Sequence, residues 1–330
     1  MHASGLDWSG DRLGRLPYAV GVGDEGSKQV PRIGFIGLGN IGSGVCANLL
    51  ADGHRVTAFD VDPDRLAAQV DAGAAAGRGA EDVAAQSDIT FLSLPTPEIM
   101  ATVSEEWLRG AAPGSLLVDL TTNSPATVRE VARRLKGNDC DLLEAPLTGG
   151  AIGARNRQLV FIVGGAAEHV ARAAPYFDSL GRATFHLGPL GTGNVGKLVN
   201  SLMAFTTMWV SLEGLALAAS NDIDLRLLLT MVRTSGGANS YLERRVDEIG
   251  TRGRPPDFAM ELAAKDAGLM LEVGRQSGVP LPVASAVHEM LVYAKAQGLG
   301  GHDISDLVEV MEHLTGVPLV LAPPEVSAGT

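Results

Sequence analysis

Short apolar runs alternate with helix-like stretches from Pro31 to about residue 190. The apolar runs predict strands, and they read RIGFIGLG, HRVTAFD, DITFLSLP, GSLLVDLT, DLLEAPLTGG and LVFIVGG. The intervening stretches predict helices and include IGSGVCANLLADG, PDRLAAQVDAG, PATVREVARRLKG and AAEHVARAAPYFDSLG. Strands and helices in alternation predict an α/β domain in which a parallel, doubly wound sheet is covered on both faces.

The pattern changes at about Gly193, where the strand-like runs stop and only helical periodicity follows. The first helical stretch, NVGKLVNSLMAFTTMWVSLEGLALAASN, is apolar around most of its circumference, so other helices or another subunit must cover it. Five further helices are predicted after it, most of them ending near a glycine suited to a C-cap. We therefore predict a flexible extension over 1–30, a nucleotide-binding domain over 31–191 and an all-α domain over 192–330, with a frayed tail.

Composition and charge narrow the possible partners. The 330 residues carry a formal net charge of −12, which argues against nucleic acid or an anionic membrane as a partner, because such surfaces need clustered Lys and Arg. The two cysteines, Cys46 and Cys140, match no metal-ligand spacing and are expected to be free thiols, and no metal is expected. The N-terminal stretch lacks the apolar block of a signal peptide, which favours a cytoplasmic protein.

The stretch RIGFIGLGNIGSGVCANLLADGHRVTAFD places a G-x-G-x-x-G pattern between a strand and a helix, and Asp60 ends the next strand. This context predicts a Rossmann-type dinucleotide site. Asp60 can accept hydrogen bonds from the ribose hydroxyls, so NAD is favoured over NADP, and Arg65 is expected to be a helix-surface charge. The turn itself supplies the predicted cofactor-binding residues Gly37, Leu38, Gly39, Asn40, Ile41 and Gly42.

Lys197 is the candidate proton carrier, because a dehydrogenase needs a group that exchanges a proton with the substrate oxygen. It lies near the start of the long apolar helix, where burial could lower its pKa. Asn200 and Ser201 follow it by three and four residues and could orient its ammonium. Thr148 is followed by two glycines in EAPLTGG, and exposed amides beside a hydroxyl could bind a carboxylate, although an ordinary turn is equally possible.

Six motifs in order resemble the β-hydroxyacid dehydrogenases, which include 3-hydroxyisobutyrate dehydrogenase and tartronate semialdehyde reductase. GFIGLGNIGSGVCANLL is similar to the opening signature of that family, and LSLPTPEIMATV is similar to its L-P cofactor segment. DLTTNSP resembles D-x-S-T-x-x-P, EAPLTGG resembles A-P-V-S-G-G, and GTGNVGKLVN resembles G-x-G-x-x-x-K-x-x-N. FAMELAAKDAGLML resembles the family's K-D segment, and the likeness runs from about Arg32 to about Val310.

The resemblance implies a hydride transfer between NAD and a short β-hydroxy acid or its semialdehyde, with Lys197 as the catalytic general acid/base. It also implies a small carboxylate-bearing substrate and a homodimer or homotetramer formed through the helical domain. The implied substrate-binding residues are Thr148, Gly149, Gly150, Asn200, Ser201, Phe258 and Asp266. The implied further cofactor contacts are Leu94, Pro95, Thr122 and Lys265. Phe258 could equally be a core aromatic, and Asp266 could equally be a surface or salt-bridged acid.

Three departures from the family pattern bear on the substrate. Ser201 stands where Asn is usual, and Thr148 replaces Ser. Arg157 stands where a Gly is usual, so if that position needs a positive φ, the loop is expected to have changed shape. We expect Arg155 and Arg157 to be solvated, with a second anionic substrate contact as the alternative.

Two other functions stay open at this point. One is an imine reductase-like enzyme, and the other is a non-catalytic, dehydrogenase-like nucleotide-binding module. Relatives of either kind usually lose the lysine, so Lys197 argues against both.

Overall fold

The computed structural model describes residues 31–244 and 253–319. The predicted N-terminal extension, the predicted frayed tail and the later part of the predicted helix SYLERRVDEIG lie outside the described residues. Contacts divide the chain into two compact units, with the division between Asn194 and Val195. The domain bounds derived from the sequence stay a prediction.

The first unit is built on a sheet whose strand order is β3-β2-β1-β4-β5-β6-β8-β7, with β9 paired to β8. Pairing is parallel from β3 through to β6, in the 3-2-1-4-5-6 order of dinucleotide-binding sheets. The strands are β1 Ile33–Ile36, β2 Val56–Phe59, β3 Ala75–Ala76, β4 Ile89–Leu92, β5 Leu116–Asp119, β6 Asp141–Glu144, β7 Leu147–Thr148, β8 Leu159–Gly164 and β9 Gly181–Gly188.

Helices lie between the strands and contribute to two separate hydrophobic clusters in this unit. Three of them, α2, α4 and α5, begin with a side-chain cap followed by proline, which has no N–H to leave unsatisfied in the first turn. The helices are α1 Asn40–Ala51, α2 Pro63–Asp71, α3 Ala80–Ala85, α4 Pro97–Gly110, α5 Pro125–Lys136, α6 Gly150–Arg155 and α7 Ala167–Leu180. The predicted doubly wound α/β class is confirmed.

Two details of the sheet differ from the sequence prediction. DLLEAPLTGG forms two strands rather than one, because the chain breaks at Ala145 and at Pro146, which has no N–H to donate to a ladder. Both pieces pair antiparallel with β8. The edge strand β9 was not predicted, since its residues are largely polar or exposed and do not form an apolar run.

The second unit is helical throughout its described part, as predicted. Gly278 and Gly316 follow helices with φ of 68°, the left-handed conformation of a glycine C-cap. A single cluster of buried residues from all the long helices forms the core. The helices are α8 Thr192–Ala219, α9 Leu225–Arg233, α10 Ser240–Arg244, α11 Met260–Ser277, α12 Pro282–Ala296 and α13 Leu307–Thr315, with a 3₁₀ turn at Ile304–Asp306.

Helix α8 is long and apolar enough to cross a membrane by length and composition alone. Such a test is also passed by core helices of water-soluble proteins, and 44% of its most apolar window is buried inside the protein. Leu212 and Leu215 of α8 are among the buried residues of the second unit's core. The helix is therefore explained as the spine of that core.

Candidate active site

The glycine-rich turn between β1 and α1 has the shape that the sequence predicts. Gly37 has a φ of 93°, and a Cβ there would collide with the carbonyl oxygen of Ser93. A Cβ at Gly42 would collide with the carbonyl of Gly37. At Gly39, the N-cap of α1, a Cβ would meet nothing closer than an Arg65 guanidinium nitrogen 3.8 Å away. The turn therefore leaves open space in front of the first amides of α1, where a pyrophosphate fits.

Asp60 lies just after β2 and is 9% exposed. One carboxylate oxygen accepts a hydrogen bond from the Leu38 amide at 2.5 Å, and the other accepts one from the Asp62 amide at 2.8 Å. A carboxylate has lone pairs beyond these two bonds, so Asp60 can still accept ribose hydroxyls. Arg65 is exposed and pairs with Asp62 at 3.2 Å on the same helix, as expected of a helix-surface charge. These groups fit NAD.

The predicted cofactor segments after β4 and β5 are joined by a residue that sequence reasoning missed. The amide of Leu94 donates to the hydroxyl of Thr121 at 3.0 Å, and Thr121 is buried. Thr122 is half-buried, and Pro95 is exposed. The pattern DLTT contains two neighbouring hydroxyls, and nothing in the sequence distinguishes the one that holds Leu94.

The predicted carboxylate nest lies at the end of β7. Thr148 is half-buried and pairs with Val160 across the strands. Gly149 and Gly150 follow with φ of 125° and 64°, so both adopt conformations that favour glycine. Successive residues of this kind can turn their amides toward an anion. The substrate contact itself stays a prediction.

Lys197 lies in the second turn of α8 and is half-buried. Desolvation by the surrounding protein lowers its pKa below the ordinary 10.5, Asp266 acts in the opposite direction, and Lys265 lowers the pKa further. Its Nζ lies 5.8 Å from the centroid of the Phe258 ring. An amine in these surroundings can exchange a proton closer to neutral pH than an ordinary lysine does.

Asp266 is the counter-charge of this cluster. It is 1% exposed, and its Oδ1 lies 3.0 Å from Lys265 Nζ. Within the described ranges, neither of its carboxylate oxygens accepts a hydrogen bond of normal geometry. Two lysines and one carboxylate thus form a charged group, which agrees with the reading of Asp266 as a salt-bridged acid.

Phe258 packs against the core of the second unit and lies near Lys197, while its contact with a substrate stays a prediction. Its ring stacks on Phe205 with centroids 6.1 Å apart, and it packs against the second unit's core. Its backbone is held by the buried carboxylate of Asp303, which accepts the amides of Asp257 and Phe258 at 2.8 and 3.1 Å. The same side chain presents its ring to Lys197.

Asn200 and Ser201 differ in environment although they are neighbours on α8. Ser201 is 3% exposed, whereas Asn200 is exposed. Across residues 31–244 and 253–319, no hydrogen bond joins either side chain to Lys197 Nζ. The suggested orienting role is therefore not a feature of this structure, and substrate contact by either residue stays a prediction.

Arg157 corrects an expectation. Its side chain is 33% exposed, but its guanidinium is not a free surface charge, because it makes two 2.8 Å bonds to Asp52 and donates to the carbonyls of Asn48 and Ser179. Its φ is 58°, so the loop keeps a left-handed residue without a glycine. The side chain joins the end of α1 to α7 and compensates for that strain. Arg155 is exposed, as expected.

The remaining candidate groups add little chemistry. Cys46 and Cys140 are free and buried, as predicted, and burial raises the pKa of the Cys46 thiol to about 12. His302, Asp306 and Glu309 offer ligand atoms within 4.8 Å of one another. Asp306 already pairs with His302 at 3.1 Å, and a group of this kind is common without an ion.

Relatives of the chain identify its family. Residues 32–188 match the family described as the NAD binding domain of 6-phosphogluconate dehydrogenase. Residues 191–311 match the family described as NAD-binding of NADP-dependent 3-hydroxyisobutyrate dehydrogenase. A 2-(hydroxymethyl)glutarate dehydrogenase of Eubacterium barkeri is 33% identical over 87% of this chain and 96% of its own. The chain belongs to the β-hydroxyacid dehydrogenase family.

Two more relatives agree with this membership. An NAD-dependent L-serine dehydrogenase of Pseudomonas aeruginosa is 30% identical over 86% of this chain and 99% of its own. A solved Mycobacterium tuberculosis 3-hydroxyisobutyrate dehydrogenase with L-serine is 26% identical, with a TM-score of 0.78 over 86% of this chain and 99% of that one. The β-hydroxyacid dehydrogenase resemblance drawn from the six motifs is confirmed, and the chain is an oxidoreductase of CH–OH groups.

Proposed function

We propose that this β-hydroxyacid dehydrogenase interconverts a short β-hydroxy acid and its semialdehyde or keto form, with NAD as cofactor and Lys197 as general acid/base. In the oxidative direction the neutral amine of Lys197 takes the hydroxyl proton of the substrate as the carbonyl forms. In reduction its ammonium returns that proton to the oxygen. The observation that carries the proposal is the lowered pKa of Lys197 in a group with Asp266 and Lys265.

The cofactor is held by residues of the first unit. The open turn at Gly39 leaves the α1 amides for the pyrophosphate, and Asp60 accepts the ribose hydroxyls. When bound there, NAD supplies the acceptor for the hydride that leaves the hydroxyl-bearing carbon. A 2′-phosphate near Asp60 would meet a carboxylate, and the nearby Arg65 is already paired with Asp62. These charges support NAD as the preferred cofactor.

The substrate carboxylate would be bound by the Thr148 hydroxyl and the amides of Gly149 and Gly150. Their positive φ angles suit an anion nest. Asn200, Ser201 and Phe258 are proposed as further substrate contacts. Because the named relatives act on 2-(hydroxymethyl)glutarate and L-serine, the substrate is sought among small acids with a hydroxyl on the β carbon.

A turnover screen tests the function. NAD and NADP reduction would be followed with 3-hydroxyisobutyrate, L-serine, glycerate, threonate and 2-(hydroxymethyl)glutarate, in wild type and in Lys197→Ala. The exposed lysine variant Lys295→Ala is the matched control. We expect NAD-preferring turnover of at least one acid that falls by about 10²-fold or more only in Lys197→Ala. Near wild-type turnover in Lys197→Ala would contradict the lysine's role, and no turnover on any acid would contradict the function.

We infer that the protein is a homodimer or homotetramer. Val199, Met203, Val210 and Leu217 are spaced along one face of α8, and they are 45%, 62%, 58% and 68% exposed. A stripe of this length is unfavourable in water and fits a second copy of the same helix. Light scattering after size exclusion should give a mass well above 34.2 kDa, and Met203→Glu with Val210→Glu should reduce it. A 34.2 kDa wild type would refute the assembly.

We also propose a cytoplasmic location, since both cysteines are free and buried. Fractionation of the source cells should recover the protein with the cytoplasmic contents. Recovery with the membrane or secreted fractions would contradict this placement.

A further inference from the structure

Two buried carboxylates lie side by side at the carboxyl ends of neighbouring strands. Asp119 ends β5, Glu144 ends β6, and the two residues are paired in the parallel register. Both are 0% exposed. Burial raises the pKa of each, that of Asp119 to about 7, to which the charge of Glu144 contributes. Such a pair is tolerated only when hydrogen bonds replace the lost water.

Glu144 satisfies the first turn of α8. Its Oε1 accepts the amides of Gly191 and Gly193 at 2.5 and 2.9 Å. Its Oε2 accepts the Asn194 amide at 3.3 Å and the Asn194 side-chain Nδ2 at 2.5 Å. A negative charge on the unpaired amides of a helix start is favourable. A Cβ at Gly164 would collide with Glu144 Oε1, so the surrounding chain is shaped for this carboxylate.

Asn194 connects this helix start to the other carboxylate. Its Oδ1 accepts the Asn123 amide at 2.6 Å, and Asn123 Nδ2 donates to Asp119 Oδ2 at 2.5 Å. Asn123 and Asn194 are both 0% exposed. We call Asp119, Asn123, Glu144 and Asn194 the carboxylate network.

The carboxylate network also reaches the cofactor segments of the first unit. Asp119 Oδ1 accepts the amide of Thr121 at 3.0 Å, and the Thr121 hydroxyl accepts the Leu94 amide. An unbroken series of hydrogen bonds thus runs from the segment after β4 to the first turn of α8. Lys197 follows Asn194 by three residues on the same helix, which is close to one turn.

We propose that Asn194 is a positioning residue for Lys197, acting through Glu144 and Asn123 to fix the start of the helix that carries the lysine. The proposal rests on the proposed function. Asn123 and Asn194 fall at open positions of the patterns D-x-S-T-x-x-P and G-x-G-x-x-x-K-x-x-N. The link between them is therefore a feature of this chain rather than of those patterns.

The polarity of the Glu144–Asn194 contact allows a sharp test. Asn194→Asp places a second carboxylate against Glu144, and Glu144→Gln places an NH₂ group against the Asn194 NH₂. In the double variant the introduced glutamine donates to the introduced aspartate, which still accepts the Asn123 amide. The glutamine oxygen keeps the amides of Gly191 and Gly193, and only the long 3.3 Å bond from the backbone amide of residue 194 is lost. Exposed Asn138→Asp in the same unit is the matched control. Asn194→Ser removes the link without a new charge and serves if Asn194→Asp does not fold.

The readouts are kcat, substrate KM, NAD affinity, and hydrogen exchange of the amides of residues 191–198. We expect kcat to fall by about 10- to 100-fold in each single variant, with NAD affinity close to wild type and faster exchange in the first turn of α8. The double variant should regain both kcat and slow exchange. Recovery of this kind would not follow from loss of a merely stabilising side chain.

Three results would overturn the proposal. The first is faster exchange with unchanged kcat, which would make the network structural only. The second is unchanged exchange in the single variants, and the third is a folded double variant that recovers nothing. Absence of turnover in wild type is a separate failure of the proposed function. The positioning role would fall with it, while the exchange data would still decide whether the network holds the start of α8.

Discussion

Glu144 in the first unit and Asp266 in the second are both buried carboxylates, but their partners differ. Glu144 accepts four hydrogen bonds from the start of α8. Asp266 has an ion pair with Lys265 and, within the described residues, no hydrogen bond of normal geometry to either oxygen. A satisfied buried charge holds structure, whereas an incompletely satisfied one remains available to neighbouring charges. The comparison favours a structural role for Glu144, and it supports the proposal that Asp266 tunes the pKa of Lys197.

The largest expected effect comes from removing the charge of Asp266. Asp266 raises the pKa of Lys197, so Asp266→Asn lowers that pKa and makes the amine a weaker base. We expect the plateau value of kcat to fall by about 10²-fold, because the weaker base removes the proton more slowly, and the rising limb of the oxidative pH profile to move to lower pH. Glu261→Gln, an exposed acid on the same helix, is the control. If the rising limb lies at the same pH in Asp266→Asn as in wild type, Asp266 does not affect the proton transfer by Lys197.

Replacing Lys265 should move the rising limb of the oxidative pH profile in the opposite direction, to higher pH. Lys265 lowers the pKa of Lys197, so Lys265→Met raises it, and the neutral amine then forms only at higher pH. The plateau value of kcat should fall less than in Asp266→Asn, because the counter-charge remains and the amine is a stronger base. Profiles that shift in the same direction in both variants would contradict the electrostatic account of this cluster.

In the first unit, Asp119→Asn should change how stability depends on pH. The pKa of Asp119 rises from 3.8 to about 7 on folding, so the folded state binds a proton that the unfolded chain releases. Stability from this group is therefore present at low pH and is lost as pH rises from about 4 to about 7. We expect Asp119→Asn to remove this loss, which is about 4 kcal/mol in all and about 3 kcal/mol between pH 5 and pH 8, since each pKa unit corresponds to about 1.4 kcal/mol.

Urea unfolding at pH 5 and pH 8 measures this difference. Asp178→Asn, at an exposed position, should leave the pH dependence of wild type intact. The urea midpoint changes between pH 5 and pH 8 by some amount in each protein. If that change is the same in wild type and in Asp119→Asn, Asp119 does not hold the proton.

The smallest effect is expected at Arg157, whose guanidinium bonds to neither Glu144 nor Asp266. Arg157→Ala loses the bonds to Asp52 and keeps a positive φ, whereas Arg157→Gly loses the bonds and relieves the strain. Both variants should have a lower free energy of unfolding than wild type. That of the glycine variant should be higher than that of the alanine variant by about 1 kcal/mol. Thermal unfolding compares them with Arg155→Ala, an exposed neighbour. Equal stability of the two variants would show that the positive φ of residue 157 costs no stability.

Local patterns predicted much of this structure. The glycine turn, Asp60 and the glycine C-caps at Gly278 and Gly316 follow from residues close together in the chain. The Glu144–Asn194 contact joins residues fifty positions apart, and the Arg157–Asp52 pair spans 105. Periodicity carries no information on such pairs. The one available signal was an acid, Glu144, directly after the two apolar residues Leu142 and Leu143 of the strand.

The site residues divide in the same way. Lys197 could be proposed because it lies near the start of an apolar helix, where burial could lower its pKa, and because GTGNVGKLVN resembles a motif of the family. The position of Phe258 between the second unit's core and Lys197 depends on Asp303, 45 residues further on, which holds its backbone. The hydroxyl that binds Leu94 belongs to Thr121 and not to Thr122, a choice that only the path of the chain after β5 decides.

The most direct test of the account is a titration of the Lys197 amine itself. The rate at which an acylating reagent modifies Lys197 would be followed against pH by mass spectrometry, in wild type and in Asp266→Asn. The account predicts that the wild-type amine titrates below the ordinary 10.5 and that Asp266→Asn lowers its pKa further. A Lys197 that titrates at 10.5 in both proteins would contradict the claim that this cluster prepares the lysine for proton exchange.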